Sequence, residues 1–132
     1  MKQILLLVLF LYGSIAVYSQ SQSELNNRAK KEYKEADKEL NEIYQLVLKE
    51  YARNKTFIQR MKDAQRSWVL FRDAELKARY PNDAKSYGSI YPMCEANFLK
   101  ELTEQRSATL RTWLNVMKPD ACQGSIGDKE DH

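Results

Sequence analysis

Two arginines, Arg72 and Arg106, lie on or beside apolar stripes and are the residues best placed for chemistry. Arg72 belongs to the stretch AQRSWVLFRDAEL (64–76), which also aims Gln65 and Trp68 toward that stripe. Tyr44 lies upstream on another stripe. A guanidinium inside a helical domain can fix register through hydrogen bonds, or it can present a cation to an anionic ligand. Burying it unpaired is costly, so each arginine needs polar partners or an outlet to water. The spacing favours the first use, a structural polar core of Tyr44, Gln65, Trp68, Arg72 and Arg106. A ligand-facing cationic pocket is the alternative. Nothing resembling a catalytic set accompanies them. The sole histidine is His132, and metal-ligand spacing, a nucleophile motif and a phosphate-binding glycine loop are all missing from the sequence. Helical carboxylates are plentiful, but no pair stands apart from ordinary surface charge. The chain reads as a non-enzyme without metal or cofactor.

The elements that must position these residues follow from hydrophobic periodicity. Leu25, Ala29, Tyr33, Ala36, Leu40, Ile43, Val47 and Tyr51 recur in steps of three or four and predict one long amphipathic helix. The lysines and glutamates between them read as its solvated face. Asn54-Lys-Thr56 breaks the pattern, and Thr56 with Gln59 has the spacing of a capping box for a second helix. Its stripe is Phe57, Met61, Ala64, Trp68 and Phe71, with Arg72 and Leu76 at the margin. Tyr80-Pro81 ends it, because the residue before proline disfavours the helical region. Ser89 is the expected cap of a third helix, with Pro92 tolerated in its first turn. That helix carries Leu99, Leu102, Arg106, Leu110, Trp113 and Met117, stopping before Pro119. Short connections between long helices imply antiparallel neighbours. The expected fold is all-α, an up-down-up antiparallel three-helix bundle.

Pairing the second and third helices about Lys85 sets a register. Asp73 then lies level with Asn97, and the nine residues to Arg106 amount to roughly 14 Å, too far for a direct pair. Lys77, one turn on, is the expected partner of Asp73. The same register brings Arg106 to Gln65, Trp68 and Tyr44, with a cation–π contact to Trp68. Arg72 falls level with Asp37 and within a turn of Glu95 or Glu101.

The chain opens with Lys2, the apolar run Ile4–Leu11 and small residues up to Ser19, the order of a cleaved secretory signal peptide. The run is well short of the roughly 20 residues of a membrane span. The expected organisation is a signal peptide over 1–19, a helical domain over 20–118 and a polar tail over 119–132. Such a chain would be exported, without stable membrane anchoring after cleavage, and periplasmic. The formal net charge is +3, and losing Lys2 leaves roughly +2 with acids and bases alternating, which does not announce a nucleic-acid partner.

Cys94 and Cys122 are the cysteines. If the third helix runs unbroken to Met117, Cys94 is about 35 Å from that point, and the residues to Cys122 can return only about 17 Å. The expectation is two separate thiols, or a dimer linked through Cys122.

The residues also resemble a known family. Leu40-Asn-x-x-Tyr44, AQRSWVLFRDAE, Gly88-Ser-Ile-Tyr-Pro92 and Leu102-Thr-x-x-Arg106 together are similar to the lysozyme inhibitor LprI-like family over about Leu40 to Leu114. The Gln-x-x-Trp-x-x-x-Arg-Asp block combined with the later Leu-Thr-x-x-Arg is the specific part. The resemblance implies a small exported bacterial all-helical domain that binds a protein, with lysozyme the named target. Family members commonly bridge the helix hairpin with two cysteines. Leu76 and Phe98 stand at those positions here, so the resemblance implies an apolar pair instead. No lipid-attachment cysteine follows the apolar run.

Under that resemblance, the segment YPNDAKSYGSIY (80–91) is the expected contact. A glycosidase cleft works through two carboxyl groups, which a protruding loop with a cation and hydroxyls can occupy. Tyr80, Lys85, Ser86, Tyr87, Ser89 and Tyr91 are the candidate binding residues, tyrosine being a frequent interface anchor. In the plainer reading of this segment, it joins two helices and packs its tyrosines on the end of the bundle. The alternative function is a scaffold module of the cell envelope that binds another protein through a helix face, with Tyr44 and Leu48 on an outer stripe.

Overall fold

The structure, a computed structural model, describes residues 2–115 and 121–130, with side chains of the first helix described from Ser21 onward. Met117, Pro119 and His132, named in the expected third stripe, stop and tail, lie outside the described residues. Three α-helices account for most of the rest: α1 (Lys2–Glu50), α2 (Lys55–Arg79) and α3 (Tyr91–Arg111). A single 3-10 turn, Ala84–Tyr87, interrupts the α2–α3 connection, and no strand occurs among the described residues.

The helix α1 extends well upstream of its expected start at Leu25, running unbroken through the apolar segment. Its buried stripe is Ala29, Ala36, Leu40, Ile43, Val47 and Tyr51. Leu25, assigned to that stripe, is 45% exposed, because it lies at the stripe's edge. The chain then turns at 51–54. Here the expected capping box is replaced by a different cap. The Asn54 side chain accepts the Phe57 N–H at 2.9 Å, while Thr56 already lies inside α2 and Gln59 donates to Asp63. Asparagine three residues before a free N–H satisfies it at least as well as threonine.

The closest helix pair is α1 with α3. The reason is a seam of small side chains. On α3, Ala96, Thr103 and Leu110 repeat every seven residues with Ser107 beside them, and all four are buried. They face a domain in which Ala29 and Ala36 are buried on α1. Small residues let two backbones approach, and a seven-residue repeat keeps the seam in register. Thr103 meets its polar requirement locally by donating from Oγ1 to the Leu99 carbonyl at 2.7 Å. The expected third stripe gave this face to Leu99 and Leu102 instead. Both are only partly buried, whereas Thr103 and Ser107 are among the fully buried residues of this helix. Replacing Ser107 by leucine forces a branched side chain into this seam and is expected to cost about 1–3 kcal/mol. A lowered urea midpoint at unchanged slope checks it.

Polar links between α1 and α3 ascend both helices together: Asn26 to the Ser89 carbonyl, Lys100 to Glu32, Arg111 to Glu39, and Tyr51 to the Trp113 carbonyl. Links from α3 to α2 run in the opposite order, Arg106 to Gln65 and Phe98 to Arg79. The helix α2 anchors through Phe57 and Met61, both buried, and loosens beyond them. Ala64 and Phe71, expected on its stripe, are exposed, Phe71 at 52%. The inward face turns instead through Gln65, Trp68, Arg72 and Leu76, each partly buried.

The third helix ends at Arg111, not near Lys118. A tight turn over Thr112–Leu114 follows, held by Trp113 and Leu114 N–H bonds to the Leu110 and Arg111 carbonyls. The described tail residues then return to the α1–α2 turn. Gly127 N–H donates to the Tyr51 hydroxyl, Asn54 to the Asp128 carbonyl, and Lys129 and Arg53 pair with Glu50 and Glu130.

Candidate functional site

Inside the hairpin, Arg106 Nε donates to Gln65 Oε1 at 3.0 Å. Burial lowers the pKa of this guanidinium, partly offset by Tyr44 nearby. The guanidinium over Trp68 belongs to Arg72, at 5.4 Å from the ring centroid, rather than to Arg106. Arg72 also donates from Nε and Nη2 to Asp73 Oδ1 at 2.9 and 2.8 Å. Asp73 therefore pairs with its own neighbour and not with Lys77. Arg72, Asp37 and Glu95 all act on Tyr33, in keeping with the expected register, but the direct ion pair of Arg72 is with Asp73 on its own helix.

Tyr33 and Tyr44 both have pKa values raised above the ordinary tyrosine value, chiefly by desolvation. A raised folded-state pKa means that stability is fully present below the unfolded value of about 10 and is lost as pH rises through the folded values. Thermal melting is therefore expected to hold up to about pH 10 and to fall as pH rises above it, and Tyr33→Phe should make that fall shallower. An equally steep fall in the variant would remove Tyr33 from the account.

At the other end of the hairpin, the 80–91 segment is built around an aromatic triad. Tyr80 meets Tyr87 and Tyr91 edge-on, each at 5.3 Å between centroids, and Tyr87 stacks on Tyr91 at 5.5 Å. The turn is closed by polar bonds. Ser86 donates to the Asp83 carbonyl from both N and Oγ, and Asn82 N–H donates to the Tyr87 hydroxyl at 3.0 Å. Gly88 takes φ 74°, a left-handed conformation that strains other residues. The expected Ser89 cap is absent: Ile90 is the N-cap residue without a side-chain bond, and the Ser89 carbonyl accepts from Asn26.

The six candidate binding residues thus divide. Tyr80, Tyr87 and Tyr91 are half-buried in the triad, whereas Lys85, Ser86 and Ser89 are exposed. The arrangement presents a cation and two hydroxyl-bearing residues on an aromatic platform. The packed tyrosines follow the plainer reading of this segment, in which they pack at the end of the helices; their contacts with one another are what spacing alone did not give. Tyr44 and Leu48, assigned to an outer stripe of α1, pack against the core instead. The exposed large apolar residues include Leu70, at 72%, and Phe71 on α2. Neither a metal-holding cluster of acids, cysteines or histidine nor a helix long and apolar enough to cross a membrane occurs among the described residues. Cys94 is half-buried and Cys122 exposed, and no disulfide joins them.

The described residues form an all-helical domain with an internal arginine–glutamine pair and a tyrosine-braced turn between α2 and α3. Its sequence matches the lysozyme inhibitor LprI family over residues 15–110, and the chain belongs to that family. It is also similar to an uncharacterized protein of Rhizobium meliloti, 34% identical over 102 residues, covering 69% of this chain and 72% of the relative. No solved structure matches the chain.

Proposed function

We propose that this chain is an exported, non-catalytic binding protein that engages a lysozyme or another envelope protein and blocks it through the 80–91 loop. Family membership carries the reading, since the matching family is described as a lysozyme inhibitor. The braced loop supports it, because little conformational entropy remains to be lost when a stiff loop binds. Lys85 is an exposed cation at its tip and can approach the carboxylates of a glycosidase cleft. The residues before Ser19 would act as the export signal, and the ascending and descending order of the helix links supports an up-down-up course. A weakly basic chain gains no long-range steering toward a basic animal-type lysozyme, so acidic or neutral targets fit better.

Turnover of peptidoglycan by animal and bacterial lysozymes, with the purified chain titrated in, tests the proposal. Lys85→Glu is the informative variant, because it reverses charge at an exposed position. Tyr87→Ala would disturb the triad and confuse contact with folding. Inhibition that Lys85→Glu abolishes supports the loop contact; inhibition unchanged by it moves the contact elsewhere. The scaffold reading has one observation in its favour, the exposure of Leu70 and Phe71 on α2. It would lead if no lysozyme is inhibited.

A further inference from the structure

A second feature lies at the end of the domain away from the 80–91 loop. Between the first turns of α2 and the returning tail is a pocket of about 340 Å³. Its walls include Phe57, Met61, Ala64 and Trp113, and Ser125 of the tail closes one side. The volume is at the lower end of small-molecule sites, and such sites are usually apolar with a few placed polar groups.

The tail that forms this wall is fastened at several points. Gly127 N–H reaches the Tyr51 hydroxyl at 2.6 Å, Asn54 reaches the Asp128 carbonyl at 3.1 Å, and Lys129 pairs with Glu50 at 2.6 Å. Behind it, Phe57 and Trp113 stand at 4.8 Å between ring centroids, tilted by 50°. The pocket is thus bounded by fixed groups from α2, the turn after α3 and the tail.

Charge in the lining has one sign. Arg60 is its charged residue, and no carboxylate lines the pocket. Arg60 is exposed and takes part in no ion pair among the described residues, whereas Arg53, Arg66, Arg72 and Arg111 each have a carboxylate partner. An apolar cavity with an unengaged cation in its lining fits a molecule with an apolar body and an anionic head.

We propose that this pocket binds a small amphipathic anion, a single-chain carboxylate with an apolar tail of medium length. The volume suits a tail of roughly eight to ten carbons. The carboxylate would take Arg60, and the tail would lie along Phe57, Met61 and Trp113. This site is independent of the 80–91 loop and of lysozyme binding.

Calorimetric titration of the full chain with decanoate tests the proposal, with decanol as the neutral analogue and phosphatidylglycerol vesicles as the lipid source of the same chemistry. Saturable one-to-one binding of decanoate is expected, about tenfold weaker with Arg60→Ala and with decanol. Ala64→Phe, which fills the pocket at an exposed position, should abolish it, while circular dichroism shows both variants folded. No saturable decanoate binding overturns the proposal, as does an affinity that Ala64→Phe leaves unchanged. Equal affinity for decanol, or no loss with Arg60→Ala, overturns the choice of an anion. Binding to vesicles without binding of decanoate assigns the surface to a membrane and also overturns it.

Discussion

Tyr51→Ala is expected to destabilise the domain by about 3–5 kcal/mol, the range for removing a buried aromatic side chain. Tyr51 is fully buried at the point where α1, the start of α2, the turn after α3 and the tail converge. Its ring lies 4.4 Å from that of Phe57 and meets Trp113 edge-on at 6.0 Å. Its hydroxyl donates to the Trp113 carbonyl at 2.9 Å and accepts from Gly127 N–H. Alanine removes both kinds of contact at once. Tyr51→Phe separates them: the ring stays, the carbonyl and the N–H lose their partner, and the cost drops to about 1–3 kcal/mol. Urea unfolding measures both. If Tyr51→Phe were as damaging as Tyr51→Ala, the ring packing would contribute little and the account of this junction would be wrong.

Leu110→Ala is expected to cost about 2–5 kcal/mol, toward the upper part of that range. Leu110 is fully buried and belongs to the cluster that includes Leu40, Ile43 and Val47 of α1. Ile43 and Val47 are β-branched and stiff, so they cannot readily move into the space left by the missing isobutyl group. A collapse of α3 toward α1 is also limited, because the small seam of Thr103 and Ser107 already holds the two backbones close. Leu70→Ala provides the contrast. That side chain is 72% exposed, and its removal should change stability by no more than about 0.5 kcal/mol. Equal effects at the two positions would mean that the α1–α3 interface is not the stability core.

Much of the architecture was legible because helices announce themselves by period. A break at about Asn54, the stop at Tyr80 before Pro81 and the buried set Ala29, Ala36, Leu40, Ile43 and Val47 follow directly from spacing and proline chemistry, although the turn lies at 51–54 and not at the expected 54–56. What was not legible lies where residue type misleads. Thr103 and Ser107 count as polar in any hydrophobic pattern, yet both are buried on α3, where small size matters more than the hydroxyl. Phe71 looks like a core residue and faces out, because the stripe of α2 turns through Gln65 and Arg72. Asn54 took the cap expected of Thr56, a shift of two residues that cap preferences alone do not resolve.

The candidate sites divide in the same manner. The Arg106–Gln65 hydrogen bond is a long-range contact that register counting about Lys85 reaches. The Arg72–Asp73 pair is local and depends on rotamer choice, which spacing does not encode. The tail reads as a polar appendage in the sequence. Its return to the α1–α2 turn uses backbone groups, Gly127 N–H and the Asp128 carbonyl, which every sequence possesses and none advertises, beside the Lys129–Glu50 and Arg53–Glu130 ion pairs.

Backbone amide hydrogen exchange of the chain, alone and with a lysozyme in excess, tests most directly whether the 80–91 loop is the contact. The account predicts slowed exchange confined to residues 82–90, where Lys85, Ser86 and Ser89 are exposed on the tyrosine platform. Slowing confined to the outer face of α2 around Leu70 and Phe71, or no change anywhere with any lysozyme, would contradict it.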